Sequence, residues 1–145
     1  MTIQQLKNLY FLDREIKAAQ QRIDELERLA GSPAGPNLTG MPRSTGDPAD
    51  SRVSRLVCEI VDLKAVLYAK QLQLIHEKNI VERWIADIPD SLTRLVFALR
   101  FVHLYSWVKV ARNVGNGMSE SGVKSICYRY LKEHTEDDPV EYRTE

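Results

Sequence analysis

The chain has 145 residues, of which 43% are apolar and 28% charged, with 20 Lys+Arg against 20 Asp+Glu. That is room for one ordinary domain or two small ones, and enough apolar surface to exclude a wholly disordered chain. No run of about eighteen apolar residues is present, which excludes a membrane-spanning helix. The two cysteines, Cys58 and Cys127, lie far apart without a CxxC pair, which excludes a disulfide scaffold or a zinc finger and fits a reducing, cytosolic setting.

The start of the chain, MTIQQLKNLYFLDREIK, carries acidic and amide residues where a secretory leader needs an apolar core, so none is expected. Residues 3–30 read as one helix. Leu9, Ile16, Ile23 and Ala30 recur every seven residues, with Leu12, Ala19 and Leu26 at the interleaved positions, which is a heptad seam. Leu6, Tyr10 and Leu29 broaden the stripe, and Gly31 with Pro33 beyond it supplies the stop. Residues 31–50, GSPAGPNLTGMPRSTGDPAD, hold 4 of the 7 glycines and 4 of the 6 prolines. They read as a long loop.

A second helix is expected from an Asp50 or Ser51 cap to about Ile88. Val53, Ile60, Leu67, Leu74, Val81 and Ile88 are spaced by seven. Leu56, Leu63 and Trp84 are companions, and Lys70 and Glu77 interrupt that second row. At 1.5 Å per residue the two helices are about 42 Å and about 57 Å long. The economical arrangement is a long antiparallel, coiled-coil-like hairpin. The loop also permits exchange between two chains, and a homodimer through the long helices is the expected oligomer. Cys58 falls on the outer face.

Pro89 ends that pattern, and three shorter helices follow. Asp90 or Ser91 caps SLTRLVFALRFVH, whose Leu92, Leu95, Val96, Leu99 and Val102 follow the helical i, i+3, i+4, i+7 rule. After a break at Leu104–Ser106, residues 107–114 and about 120–134 are helical, separated by Gly115-Asn116-Gly117-Met118. Either Gly115 or Gly117 can supply a positive φ for the turn. Ala111 is a small residue where two helices cross closely. Ser119 and Glu120 open the last helix. Val123, Ile126 and Leu131 form its inward face. Ser121, Lys124, Ser125, Tyr128, Arg129 and Lys132 form its outward face. The tail TEDDPVEYRTE is acidic, either a solubilising end or a competitor for the preceding cations.

Charge follows the same divisions. Residues 1–89 hold 12 basic and 12 acidic side chains, residues 90–134 hold 7 basic and 3 acidic, and the tail from Thr135 holds 1 basic and 5 acidic. A neutral front, a basic body and an acidic tail thus cancel, and the local balance carries the information. The domain reading is therefore 1–30 and 51–88 as the two coiled-coil helices, 31–50 as the loop, 89–134 as a helix-turn-helix and 135–145 as the tail. The fold class is all-α.

The string PDSLTRLVFALRFVHLYSWVKVARNV with MSESGVKSICYRYLKE resembles region 4 of bacterial sigma factors, the helix-turn-helix that reads the −35 promoter element. The whole chain is similar to small phage-encoded late transcription regulators of Gram-positive hosts, with Gly40-Met41-Pro42-Arg43 matching a loop string of that family. The Gly115–Met118 turn is longer than the sigma-like spacing. The resemblance implies a DNA-binding transcription regulator, an activator of phage late genes, working on double-stranded promoter DNA and host RNA polymerase. It places DNA contacts on Ser119, Glu120, Ser121, Lys124, Ser125, Tyr128, Arg129 and Lys132. A small-terminase-like packaging protein and a polymerase-gripping adaptor without DNA affinity are the alternatives. His76, His103 and His134 lack metal-ligand spacing. No nucleophile–base set, carboxylate pair or phosphate-cradling loop occurs, so neither catalysis nor a cofactor or metal is expected. Trp84 and Trp107 are expected as packing anchors and Tyr130 as the inward one of the Tyr128/Tyr130 pair.

Overall fold

In the computed structural model, residues 1–31 and 48–135 are described, and they are all-helical, without a strand. Most of the Gly/Pro-rich stretch, with the Gly40-Met41-Pro42-Arg43 string, lies outside the described residues, as does the acidic tail after Thr135. The elements are α1 (Ile3–Gly31), α2 (Pro48–Ala86), α3 (Ser91–Phe97), a π-helical segment (Ala98–Val102), α4 (Trp107–Val114) and α5 (Glu120–Thr135). α2 begins at Pro48, ahead of the expected cap, and a proline suits a first turn because its missing N–H has no helical partner there. α2 also stops at Ala86 and not at Ile88. The Asp87 and Ile88 amides donate to the Trp84 and Ile85 carbonyls, three residues back, at 3.2 and 3.0 Å. Tightening of this kind precedes a proline, whose ring pushes the residue before it out of the α region.

The chain divides into two compact units, Asp13–Gln73 and Met1–Leu12 with Leu74–Glu145. In Asp13–Gln73 the heptad positions form the core. Ile23, Leu26, Ile60 and Leu67 are buried, and Ile16, Ala19, Ala30, Leu56 and Leu63 pack against them. The α2 seam is thus filled here by α1 of the same chain. Val53 and Leu29, expected along the stripes, are exposed. Lys70, one of the two polar residues in the α2 rows, places Nζ 3.3 Å from the Glu15 carboxylate, and Lys64 pairs with Glu27 at 2.7 Å. Partly exposed pairs of this kind contribute only about 0–1 kcal/mol each, so burial of the aliphatic seam carries the stability.

The other unit gathers Leu6 and Leu9 of α1 and Val81 and Ile85 of α2 around the short C-terminal helices. Ile88, Val96, Phe97, Phe101, Val110, Ala111, Val123, Cys127 and Leu131 complete that core. Asp90 caps α3: its carboxylate accepts from the Thr93 amide at 2.9 Å and the Thr93 hydroxyl at 2.6 Å. Those bonds hold its carboxyl below the ordinary carboxylate value. Arg94 donates to the Ile88 carbonyl at 2.5 Å and the Pro89 carbonyl at 3.1 Å, satisfying carbonyls of the link between α2 and α3.

One expectation for this region is corrected. The helical run through His103 passes into a π-helical turn, with the His103 amide bonded to the Ala98 carbonyl five residues back at 3.0 Å. The buried face also differs in part: Val96 is buried and Leu99 and Val102 pack against the core as expected, but two leucines of the stripe do not. Leu92 and Leu95 are 40% and 43% exposed, while Thr93, Val96, Phe97 and Phe101 are buried. Aromatic packing decides this. Phe97 meets Trp84, Tyr130 and Phe101 at ring separations of 5.3, 5.6 and 5.6 Å, and such rings bury more area than a leucine face would.

Candidate nucleic-acid interface

The candidate surface is built on α4, the connection 115–119 and α5. Ser106 caps α4, its hydroxyl oxygen accepting from the Lys109 amide at 3.4 Å. Val110 and Ala111 turn inward, and the small Ala111 lets α4 and α5 approach. α4 then ends in three consecutive residues with positive φ, Gly115 (72°), Asn116 (52°) and Gly117 (70°). Gly115 combines its φ with ψ −153°, a region that essentially only glycine occupies. The Met118 amide donates back to the Gly115 carbonyl at 3.0 Å and closes the turn.

Ser119 sits ahead of α5, and its hydroxyl oxygen accepts from the Gly122 amide at 3.1 Å. It acts as an N-cap, relieving one of the amides left without a helical partner. The inward face of α5 is Val123, Cys127 and Leu131. Ile126, expected inward, is half-buried at its edge, and Cys127 takes the central place. Burial pushes the Cys127 thiol up to about 12. Tyr130 packs inward against Trp84 and Phe97, and burial, then the Asp87 charge, raises its pKa. His134 stacks on Tyr130 at 3.9 Å and bonds the Tyr130 carbonyl at 2.9 Å.

The structure brings most of the expected contact residues onto one side. Ser121, Ser125, Tyr128 and Lys132 stand at i, i+4, i+7 and i+11 along α5, all exposed, with Arg129 exposed beside them. Arg129 and Lys132 make no ion pair among the described residues. Ser125 donates its hydroxyl to the Ser121 carbonyl at 2.8 Å, which leaves its oxygen able to accept a further bond. Three residues are engaged otherwise. Lys124 is half-buried and bonds Glu120 at 2.5 Å, which partly cancels its charge, and Ser119 is committed to its cap.

The expected contact residues all lie on Ser119 and α5, and α4 adds further cations. Lys109 and Arg112 are both exposed there, and Lys109 lies over the Tyr105 ring at 3.8 Å. Both belong to the basic excess of residues 90–134. By contrast Arg100 is a structural cation: it bonds the Tyr105 carbonyl at 2.7 Å and lies over the Trp107 ring at 4.7 Å. Trp107 also faces Tyr128 at 6.1 Å.

Among the described residues no three His, Cys, Asp or Glu side chains gather where they could hold a metal ion, and no helix is long and apolar enough to cross a membrane. Compared with known proteins, the chain matches no family model, no curated protein and no solved structure.

Proposed function

We propose that the chain is a sequence-specific DNA-binding transcription regulator, of the phage late-gene activator type, in which α4, the glycine turn and α5 form a helix-turn-helix and α5 is the recognition helix. The long helices then form an antiparallel hairpin, a reading supported by the ion pairs of Glu15 with Lys70 and Glu27 with Lys64. The observation that carries the proposal is the composition of the outer α5 face. Ser121, Ser125, Tyr128, Arg129 and Lys132 are exposed together on a helix anchored from behind by Val123, Cys127 and Leu131. Arg and Lys neutralise phosphates, while hydroxyls and Arg can bond base edges in a major groove wide enough for one helix. Lys109 and Arg112 on α4 extend the same positive charge, and the resemblance to sigma region 4 points the same way.

Selection of bound duplexes from a random library with the full chain tests the proposal. The expected result is an enriched site held at least about 10³-fold more tightly than random duplex at physiological salt. Absence of enrichment, with all binding lost at that salt, would refute it.

A second reading, a protein-binding adaptor that grips host RNA polymerase without DNA affinity, is favoured by one observation: Leu92 and Leu95 remain exposed on α3. Polymerase capture that survives Arg129→Ala with Lys132→Ala, in a chain that selects no duplex, would decide for it.

A further inference from the structure

α2 carries a second apolar repeat that nothing among the described residues covers. Cys58, Val61, Ala65, Tyr68 and Leu72 are spaced 3, 4, 3 and 4 residues apart, with no charged residue among them. All five are exposed, Val61 at 60%, Tyr68 at 63% and Leu72 at 50%. This is not the edge of the seam that meets α1. At about 100° per residue, the stripe points about 150° away from the Leu56, Ile60, Leu63 and Leu67 row. The alternating 3–4 spacing is the pattern by which one helix meets another along a supercoiled seam.

We infer that this stripe is the interface with a second copy of the chain, the two α2 helices pairing antiparallel about a two-fold axis that passes between Val66 and Leu67. Residue size favours that direction. Antiparallel pairing sets Ala65 against Tyr68 of the second copy and Val61 against Leu72 of the second copy, small opposite large in both layers. Parallel pairing would oppose Tyr68 to Tyr68 and Ala65 to Ala65, one layer overfilled and the next underfilled. The flanks agree, because Lys64 falls opposite Gln71 and Asp62 opposite Ala69, so no like charges meet along the seam. A two-fold interface must be self-complementary, and this stripe is. Five positions per chain make a small interface, below the roughly 1,600 Å² of a standard one, so the association is weak and depends on concentration.

Sedimentation equilibrium of the full chain tests this, run from micromolar to millimolar concentration. The wild type is expected to rise from 16.6 kDa to twice that mass. Tyr68→Glu, Leu72→Glu and the size-inverting Ala65→Trp should each remain monomeric over the same range, with unchanged helical circular dichroism because all three sites face solvent. For direction, chains carrying Val61→Cys and chains carrying Leu72→Cys, both in a Cys58→Ser background, are mixed and mildly oxidised. The mixed crosslink should dominate. A wild type that stays monomeric, a dimer indifferent to Tyr68→Glu and Leu72→Glu, or a Val61→Cys chain that crosslinks mainly to itself would each overturn the inference.

Discussion

Replacing Arg129 and Lys132 together by alanine should weaken DNA binding by an amount that the structure allows to be worked out. The cations on α4 and α5 that reach solvent are Lys109, Arg112, Lys124, Arg129 and Lys132. Lys124 is shared with Glu120, which leaves about four phosphate contacts and a log–log salt slope of about −3.6, at about 0.9 per contact. Removing two contacts should bring the slope to about −1.8. Between 1 M and 0.15 M salt each contact is worth about 0.7 log units, so the double variant should bind about 30-fold more weakly at physiological salt. Glu120→Gln provides a change of opposite sign. It frees Lys124 for a phosphate and should tighten binding about 5-fold while steepening the slope by about 0.9. Fluorescence anisotropy of a labelled duplex, titrated across a series of salt concentrations, measures both quantities. A double variant with the wild-type slope and affinity would refute the placement of the contacts on α5. A Glu120→Gln chain that binds more weakly would refute the account of Lys124.

Three further outcomes concern the fold. At pH 8 a disulfide reagent should titrate the exposed Cys58 rapidly, and Cys127 only after unfolding, because burial keeps its thiol protonated up to about pH 12; two fast thiols in the native chain would contradict its place in the core. Leu67→Ala and Phe97→Ala should cost roughly 2–5 and 3–5 kcal/mol in urea unfolding, because both side chains are buried, whereas Leu72→Ala on the exposed stripe should stay within about 0.5 kcal/mol at low protein concentration. Gly115→Ala should destabilise by roughly 1–3 kcal/mol through backbone conformation alone, since an added Cβ there meets nothing within 4 Å. Gly117→Asn, in the left-handed region that asparagine tolerates, should cost less, and equal costs would show that the turn is not read correctly.

Much of the all-helical character of this chain is local chemistry and is legible without coordinates. Seven-residue spacing, Gly31, Pro89, the Asp90 and Ser106 caps and the glycine turn each act within a few residues, so they mark α1, α4 and the start of α3 closely, and α2 to within a few residues. The polar outer face of α5 is legible for the same reason, because hydroxyl and basic side chains at i, i+4 and i+7 share a side whatever lies behind the helix. Which apolar face is buried is not a local property. The expected stripe of Leu92, Leu95, Val96, Leu99 and Val102 shares Val96 with the buried set Thr93, Val96, Phe97 and Phe101, and periodicity has no means of ranking Leu92 and Leu95 below Phe97 and Phe101. The choice falls to Phe97 and Phe101 because Trp84, from a different helix, and Tyr130, from a third, supply aromatic partners. Likewise α2 carries two heptad stripes, and only the packing of Ile23 and Leu26 against Ile60 and Leu67 determines which is filled and which faces solvent. Cys127 is not among the residues that spacing marks as inward on α5, Val123, Ile126 and Leu131, yet it is buried between Val123 and Leu131 in the core. Burial depends on which surfaces meet across long stretches of sequence, and that is the part tertiary structure alone decided.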